Sequence, residues 1–231
     1  VGVKLIMPGV FEFKNTPDDD PDNPDDDSEW LALLIKQSNI PTETRLTERL
    51  YTFEMVPGRE EGFEASKAFI RGEIVPPILL LYGLPGRSKT HLAISIGWAF
   101  LTQLKSVYYC HVGDLLDALR EGYKIGGLLA PGEFNKDSYD SLMKRAKNSS
   151  LLILDDLGVQ KDTYWVLEKL DMIVDHRWRN NMPTVATANT LELTERVFDR
   201  MQEGKVVRLK GESYRAIRRR RKQDAAKDGL G

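Results

Sequence analysis

The segment Gly83-Leu84-Pro85-Gly86-Arg87-Ser88-Lys89-Thr90 follows directly on the apolar run Ile78-Leu79-Leu80-Leu81-Tyr82. A strand running into a glycine-rich turn closed by Lys-Thr is the pattern of a phosphate-binding loop. Its backbone N–H groups wrap the phosphates, the lysine reaches the β and γ oxygens, and the hydroxyl ligates Mg²⁺. Gly83, Lys89 and Thr90 fit the G-x-x-x-x-G-K-[ST] spacing, and Gly86 supplies the extra glycine of the G-x-x-G-x-G-K-T form. Ser88 stands where that form has glycine. Its side chain either crowds the backbone approaching a phosphate or donates a hydrogen bond to it. The change is read as tolerated for binding, with the rate of hydrolysis open to slowing.

Leu151-Leu152-Ile153-Leu154-Asp155-Asp156 is a second apolar strand, and it ends in two carboxylates. Buried strands tolerate charge only at their ends, so the pair belongs at the carboxyl edge of a sheet, where the phosphate loop also opens. One carboxylate beside Thr90 can hold Mg²⁺ directly or through water, and the other can polarise the attacking water. The plainer reading is a pair of strand-end carboxylates capping the next helix. The strand Pro183-Thr-Val-Ala-Thr-Ala-Asn189 ends in an amide that can position a water against the γ-phosphate or simply serve as a turn or cap residue. Arg196 and Arg200 lie four apart on one helix and share a face that suits phosphate oxygens or an ordinary salt-bridged surface. His91, His111 and His176 have no metal-ligand spacing, and no G-x-S-x-G elbow is present.

The elements that must position these groups are legible from periodicity. Strands are expected at 78–82, 107–112, 151–155, 184–188 and 205–210, and helices near 89–103, 113–122, 137–147, 163–180 and 191–202. Near-continuous apolar strands alternating with helices predict a parallel sheet covered on both faces, an α/β fold. Upstream, short helices are expected at Trp30–Gln37 and Arg59–Arg71. Residues 15–29 are rich in Asp and Pro, which oppose helix and strand and repel one another, and read as a solvated linker. The D-x-D-x-D-G spacing of a Ca²⁺ loop is absent there.

The chain has 231 residues, enough for one α/β domain with extensions. Its net charge of −2 hides an acidic start and a basic end, Arg218-Arg219-Arg220-Arg221-Lys222. That end suits nucleic-acid phosphates, or a solubilising tail. Cys110 is the single cysteine, so no disulfide framework or zinc cluster is expected and a reducing, cytoplasmic setting is the default. A membrane-crossing helix needs about 20 consecutive apolar residues, and no stretch approaches that, so no membrane partner is expected.

Taken together, Gly83-Leu-Pro-Gly-Arg-Ser-Lys-Thr-His-Leu-Ala93, Leu151-Leu-Ile-Leu-Asp-Asp-Leu-Gly158, Trp165-Val-Leu-Glu-Lys-Leu170 and Pro183–Asn189 resemble the DnaC and IstB family of AAA+ ATPases. So do Arg196-Val-Phe-Asp-Arg-Met-Gln-Glu-Gly204, Gly211-Glu-Ser-Tyr-Arg215, Ser38-Asn-Ile-Pro41 and Tyr51-Thr-Phe53. The resemblance covers residues 38–215, leaving 1–37 as an N-terminal extension and 216–231 as a basic tail. It implies a P-loop NTPase (AAA+) three-layer sandwich with a five-stranded parallel sheet and no C-terminal lid domain. Lys89 and Thr90 match the Walker A pair, Asp155 and Asp156 the Walker B pair, and Asn189 sensor 1. Thr90 and Asp155 are the metal candidates.

Arg200 matches the arginine finger supplied to a neighbouring subunit, with Arg196 as the second candidate, and Arg215 looks like the sensor 2 arginine. The nucleotide contacts expected are the loop residues Gly83 to Thr90, including Leu84, Pro85 and Arg87, with His91, Arg196 and Arg215. The implied cofactors are ATP and Mg²⁺. The implied activity is ATP hydrolysis in a homo-oligomer or filament on DNA, single-stranded by expectation, serving a replicative helicase as its loader or a transposase as its helper. Lys124, Lys136, Lys144, Arg145 and Lys147 surround a Gly-rich insertion whose family counterpart faces DNA; a solvated lysine surface is the alternative. Ser88, and the replacement of the family's N-terminal partner-binding region, are the departures. Two rival readings are a nucleotide-binding adaptor with little turnover and a small-molecule kinase, the latter disfavoured by the Asn189 and Arg200 pattern.

Overall fold

A computed structural model describes residues 2–7, 10–14, 25–41, 44, 48–126, 139–158 and 164–228. Two short strands, β1 (Gly2–Met7) and β2 (Val10–Lys14), pair antiparallel. Helix α1 (Asp25–Gln37) follows and is longer than expected, because it takes in the last acidic residues of the predicted linker. Residues 15–24 lie outside the described set.

The main sheet has the order β4-β5-β6-β3-β7 and every pairing in it is parallel. Its strands are β3 (Ile78–Tyr82), β4 (Val107–His111), β5 (Leu151–Leu157), β6 (Thr184–Ala188) and β7 (Lys205–Arg208). Between them run α2 (Glu60–Ile70, ahead of β3), α3 (Lys89–Leu101), α4 (Val112–Gly126), α5 (Tyr139–Asn148), α6 (Tyr164–Arg179) and α7 (Glu195–Gln202), and α8 (Tyr214–Asp228) comes last. The five predicted strands are all present.

Strand period divides the interior into two cores. Ile78, Leu80, Leu152, Leu154, Ala186 and Ala188 face α4, α5, α6 and α7. Leu79, Leu81, Leu151, Ile153, Val185 and Val207 face α1, α2 and α3. The sheet is therefore the middle of three layers. Apolar runs without alternation are what a strand buried on both faces requires. β3 sits between β6 and β7, so the loop after it opens beside the carboxyl ends of β5 and β6, where open α/β sheets bind ligands.

The segment expected to be a tail is folded: α8 continues to Asp228 and its first turns are tied to the domain. Arg177, almost fully buried, holds the opposite edge of the sheet. Its guanidinium donates to the carbonyls of Ala146, Lys147, Ser149 and Pro183 and to Thr184 Oγ1. Burial pulls its pKa down to about 9.

Candidate nucleotide site

The loop after β3 begins at Gly83, whose N–H bonds Ala188 O at 3.1 Å and whose φ is +141°. A Cβ there would lie 2.4 Å from Leu209 O, so only glycine fits. Gly86 has φ +78°, and a Cβ on it would meet Ser213 Oγ at 2.2 Å. Ser88 has φ +63° and ψ +22°, the left-handed region. The reason a glycine belongs at this position is therefore conformational as well as steric, and Ser88 holds a backbone geometry that costs an L-residue about 1–2 kcal/mol.

Lys89 is nearly buried, and its ammonium donates to Gly83 O at 2.6 Å, to Leu84 O at 3.3 Å and to Asn189 Oδ1 at 3.0 Å. Burial lowers its pKa, opposed by the nearby charges of Asp156 and Asp155. The sequence-predicted lysine and strand-tip amide thus meet, from β3 and β6. Thr90 Oγ1 donates to Asp155 Oδ1 at 3.0 Å, which brings the third strand, β5, to the same point. Asp155 also accepts hydrogen bonds from Thr187 Oγ1 at 2.6 Å and Tyr109 Oη at 2.7 Å. Thr187 in turn accepts the N–H of Asp156 at 3.0 Å. Thr187 and Tyr109 escaped the sequence reading, since a hydroxyl inside an apolar strand has no local pattern.

Asp156 is turned away from its neighbour. Its φ is +56°, the β5–β6 register shifts between Leu154 and Leu157, and Oδ2 lies 3.3 Å from His111 Nε2 at the end of β4. His91 faces away from the loop: Nε2–H donates to Arg49 O at 3.2 Å, its ring packs edge-on to Phe53, and burial lowers its pKa. Glu48 was also missed. Burial, reinforced by the charge of Asp155, raises its carboxyl pKa to about 7, and its Oε2 has no hydrogen-bond partner among the described residues.

Arg59, at the start of α2, gives no signal in the sequence and is fully buried. Its Nη2 donates to Glu212 O at 2.6 Å and Gly86 O at 3.4 Å, and its guanidinium carbon lies 5.9 Å from the Tyr214 ring centre. Tyr214 N–H donates to Gly86 O at 2.8 Å. The loop is therefore fastened from behind by α2 and the first turn of α8.

The predicted arginines divide. Arg196 pairs with Asp171 at 2.8 Å. Arg200 lies over the Trp178 ring at 3.9 Å, with Asp175 at 3.4 Å and Glu203 at 3.7 Å. Both line a groove of about 550 Å³ between α6 and α7, and all their recorded partners are on those helices and in the turn after α7. Arg215 begins the exposed face of α8 and has no hydrogen bond or ion pair to the loop among the described residues. Of the basic cluster around the insertion, Lys136 and the Lys124 side chain lie outside the described set. Arg145 is bound to Gln37 O at 2.8 Å and stacks on Tyr108, so it is a packing residue between α5 and α1.

Thr90 and Asp155 supply a hydroxyl and one carboxylate. Among the described residues no three His, Cys, Asp or Glu side chains gather as a metal cage. This oxygen-poor set fits Mg²⁺, which takes one or two protein ligands and completes its octahedron with phosphate oxygens and water.

Five parallel strands, a left-handed-turn phosphate loop, an amide tip on the neighbouring strand β6 and a carboxylate tip on β5 beyond it define a P-loop domain of the AAA+ class. Solved structures agree in fold. DnaA from Aquifex aeolicus superimposes with TM-score 0.61 at 19% identity, over 71% of this chain and 50% of that one. A DnaC helicase loader does so with TM-score 0.58 at 20% identity, over 74% of this chain and 100% of that one. The sequence profile of the IstB-like ATP binding proteins matches residues 30–224, and the chain belongs to that family. The replicative helicase loader DnaC of Escherichia coli K12 is 32% identical over 128 residues, 53% of this chain and 49% of DnaC. An insertion-sequence ATP-binding protein of Geobacillus stearothermophilus is 26% identical over 210 residues, 86% of this chain and 78% of that protein. The chain thus spans about half the length of the DnaC relatives it matches and more of the insertion-sequence protein.

Proposed function

We propose that this chain is a Mg-ATP-dependent, DNA-associated AAA+ ATPase that acts as a replicative helicase loader in DNA replication. The carrying observation is the meeting of Lys89 with Asn189 and of Thr90 with Asp155 at one sheet edge. In this reading Lys89 and the loop N–H groups bind the triphosphate. Thr90 and Asp155 would hold Mg²⁺, which would supply charge neutralisation at the bound phosphates. Asn189 orients the attacking water and Asp156 polarises it.

Arg200 is supplied to the site of a neighbouring copy, which its placement on the α6–α7 surface supports. ATP then favours a head-to-tail homo-oligomer or filament, because the γ-phosphate gives Arg200 a partner that ADP lacks. Single-stranded DNA is the expected track, and the replicative helicase the client.

A second reading, a transposition helper, is favoured by the length of the match to the insertion-sequence protein and by the family profile itself. A static adaptor with little turnover is favoured by the left-handed Ser88. Steady-state phosphate release, with and without single-stranded DNA, separates enzyme from adaptor. Equal rates for wild type and Lys89→Ala end the enzyme reading. Co-purification from native cells with a replicative helicase supports the loader, and co-purification with a transposase replaces it.

A further inference from the structure

The structure assigns the outward face of α8 as a contact surface for the phosphate backbone of nucleic acid. Position around the helix sorts its arginines into two groups. At about 100° per residue, Arg215, Arg218 and Arg219 fall within one arc of about 100°. Tyr214, Ile217, Arg220 and Arg221 fall on the other side. The second group holds the helix to the domain. Tyr214 Oη donates to Glu54 Oε2 at 2.9 Å, Arg221 pairs with the same Glu54, and Arg220 pairs with Glu212. Tyr214 and Ile217 are half-buried. The first group is exposed, and none of its three guanidinium groups has a hydrogen bond or ion pair among the described residues.

The helix therefore spends two arginines on docking and presents three others together, with no carboxylate interleaved among them. Like charges one turn apart repel, a cost that a bound polyanion removes. The face fits nucleic acid better than a lipid surface. An interfacial helix needs an apolar face to insert, and here Tyr214 and Ile217 are turned toward the protein body. Arg215, Arg218 and Arg219 lie along about one turn of helix, so they reach neighbouring phosphates of one strand. The face carries no aromatic residue and reads no bases. Its binding is non-specific and sensitive to salt through counterion release.

This surface deepens the reading of the chain as a DNA-associated ATPase, since it supplies the nucleic-acid contact that reading requires. It can fail separately, because oligonucleotide binding is measured without nucleotide while phosphate release with Lys89→Ala tests the ATPase alone. The variants are Arg218→Ala/Arg219→Ala and, as a distant charge control, Lys105→Ala. Fluorescence anisotropy of labelled single-stranded and double-stranded oligonucleotides is followed from 50 to 300 mM salt, with circular dichroism confirming the fold.

The double variant is expected to weaken binding alike for unrelated sequences and to reduce the slope of log affinity against log salt by about 2, roughly 1 for each arginine. Lys105→Ala is expected to leave both unchanged. A stronger loss on single-stranded than on double-stranded probe supports the single-strand track. An equal loss on both assigns the face to either form of backbone. Affinity and slope unchanged by the double substitution overturn the proposal. So does loss of binding to poly-glutamate with both oligonucleotides still bound, which assigns the face to an acidic protein partner.

Discussion

The Lys89 ammonium and the Asn189 carboxamide oxygen are 3.0 Å apart, although 100 residues separate them in the chain. The lysine opens α3 at the far end of the loop that leaves β3, the amide directly follows β6, and the two strands are adjacent and in register from Ile78↔Thr184 to Tyr82↔Ala188. Two residues with different proposed roles in binding and turnover are thus held by the same pair of strands.

Their roles separate by substitution. Lys89→Ala is expected to reduce nucleotide affinity by 100-fold or more, about 3 kcal/mol. Asn189→Ala is expected to keep affinity within about threefold while slowing phosphate release on the order of 100-fold, the usual cost of losing one positioned polar group. Titration with a fluorescent nucleotide alongside phosphate release reads both. An Asn189 variant that loses affinity and rate together assigns the amide to binding instead.

Ser88→Gly relieves a left-handed serine at the start of α3. The substitution is expected to stabilise the folded protein by about 1 kcal/mol, a rise in melting temperature of roughly 2–4 °C for a domain of this size. Because the strain lies in the phosphate loop, nucleotide affinity is expected to rise as well. A melting temperature equal to or below that of wild type contradicts the strain argument.

Glu48 makes stability depend on pH. Its carboxyl pKa stands at about 7 in the folded protein against 4.5 for the free side chain. The folded state therefore binds the extra proton between those values. Stability is fullest below pH 4.5, falls as pH rises toward 7 and levels off above it. Glu48→Gln is expected to flatten this segment by about 1–2 kcal/mol, after allowance for solvent screening. Urea unfolding in EDTA across pH 5 to 8 measures it. An unchanged slope in the variant assigns the dependence elsewhere.

Arg200 is partly exposed and its ion pairs with Asp175 and Glu203 are worth about 1 kcal/mol or less. Arg200→Ala is expected to leave nucleotide affinity of the monomer within twofold and to abolish ATP-stimulated assembly. Light scattering that shows normal oligomers from the variant removes Arg200 from the neighbouring site.

Arg177 works at the opposite edge of the sheet. Arg177→Ala leaves four buried or half-buried carbonyls without their donor and is expected to cost about 3–5 kcal/mol in urea unfolding. Below about 1 kcal/mol, the clamp reading fails.

Much of this arrangement is written in local pattern. The apolar runs at Ile78 and Leu151, the loop between Gly83 and Thr90 and the strand-end polar residues Asp155 and Asn189 suffice for a parallel α/β sheet with a phosphate site at its carboxyl edge. Their information is local because burial on both faces and the turn chemistry of glycine act over a few residues. What the sequence left open depends on residues far apart. The strand order decides that Thr187 and Tyr109 hold Asp155, that Arg59 and Tyr214 brace Gly86, and that Glu48 is desolvated beside Asp155. Packing also turned two sequence features around. The last acidic residues of the supposed linker became the first turn of α1, and the supposed tail became a docked helix whose arginines divide into bound and free. The second outcome follows from where the chain is carried: Glu54 is in reach of Tyr214 and Arg221 only once β7 has placed α8 beside the loop.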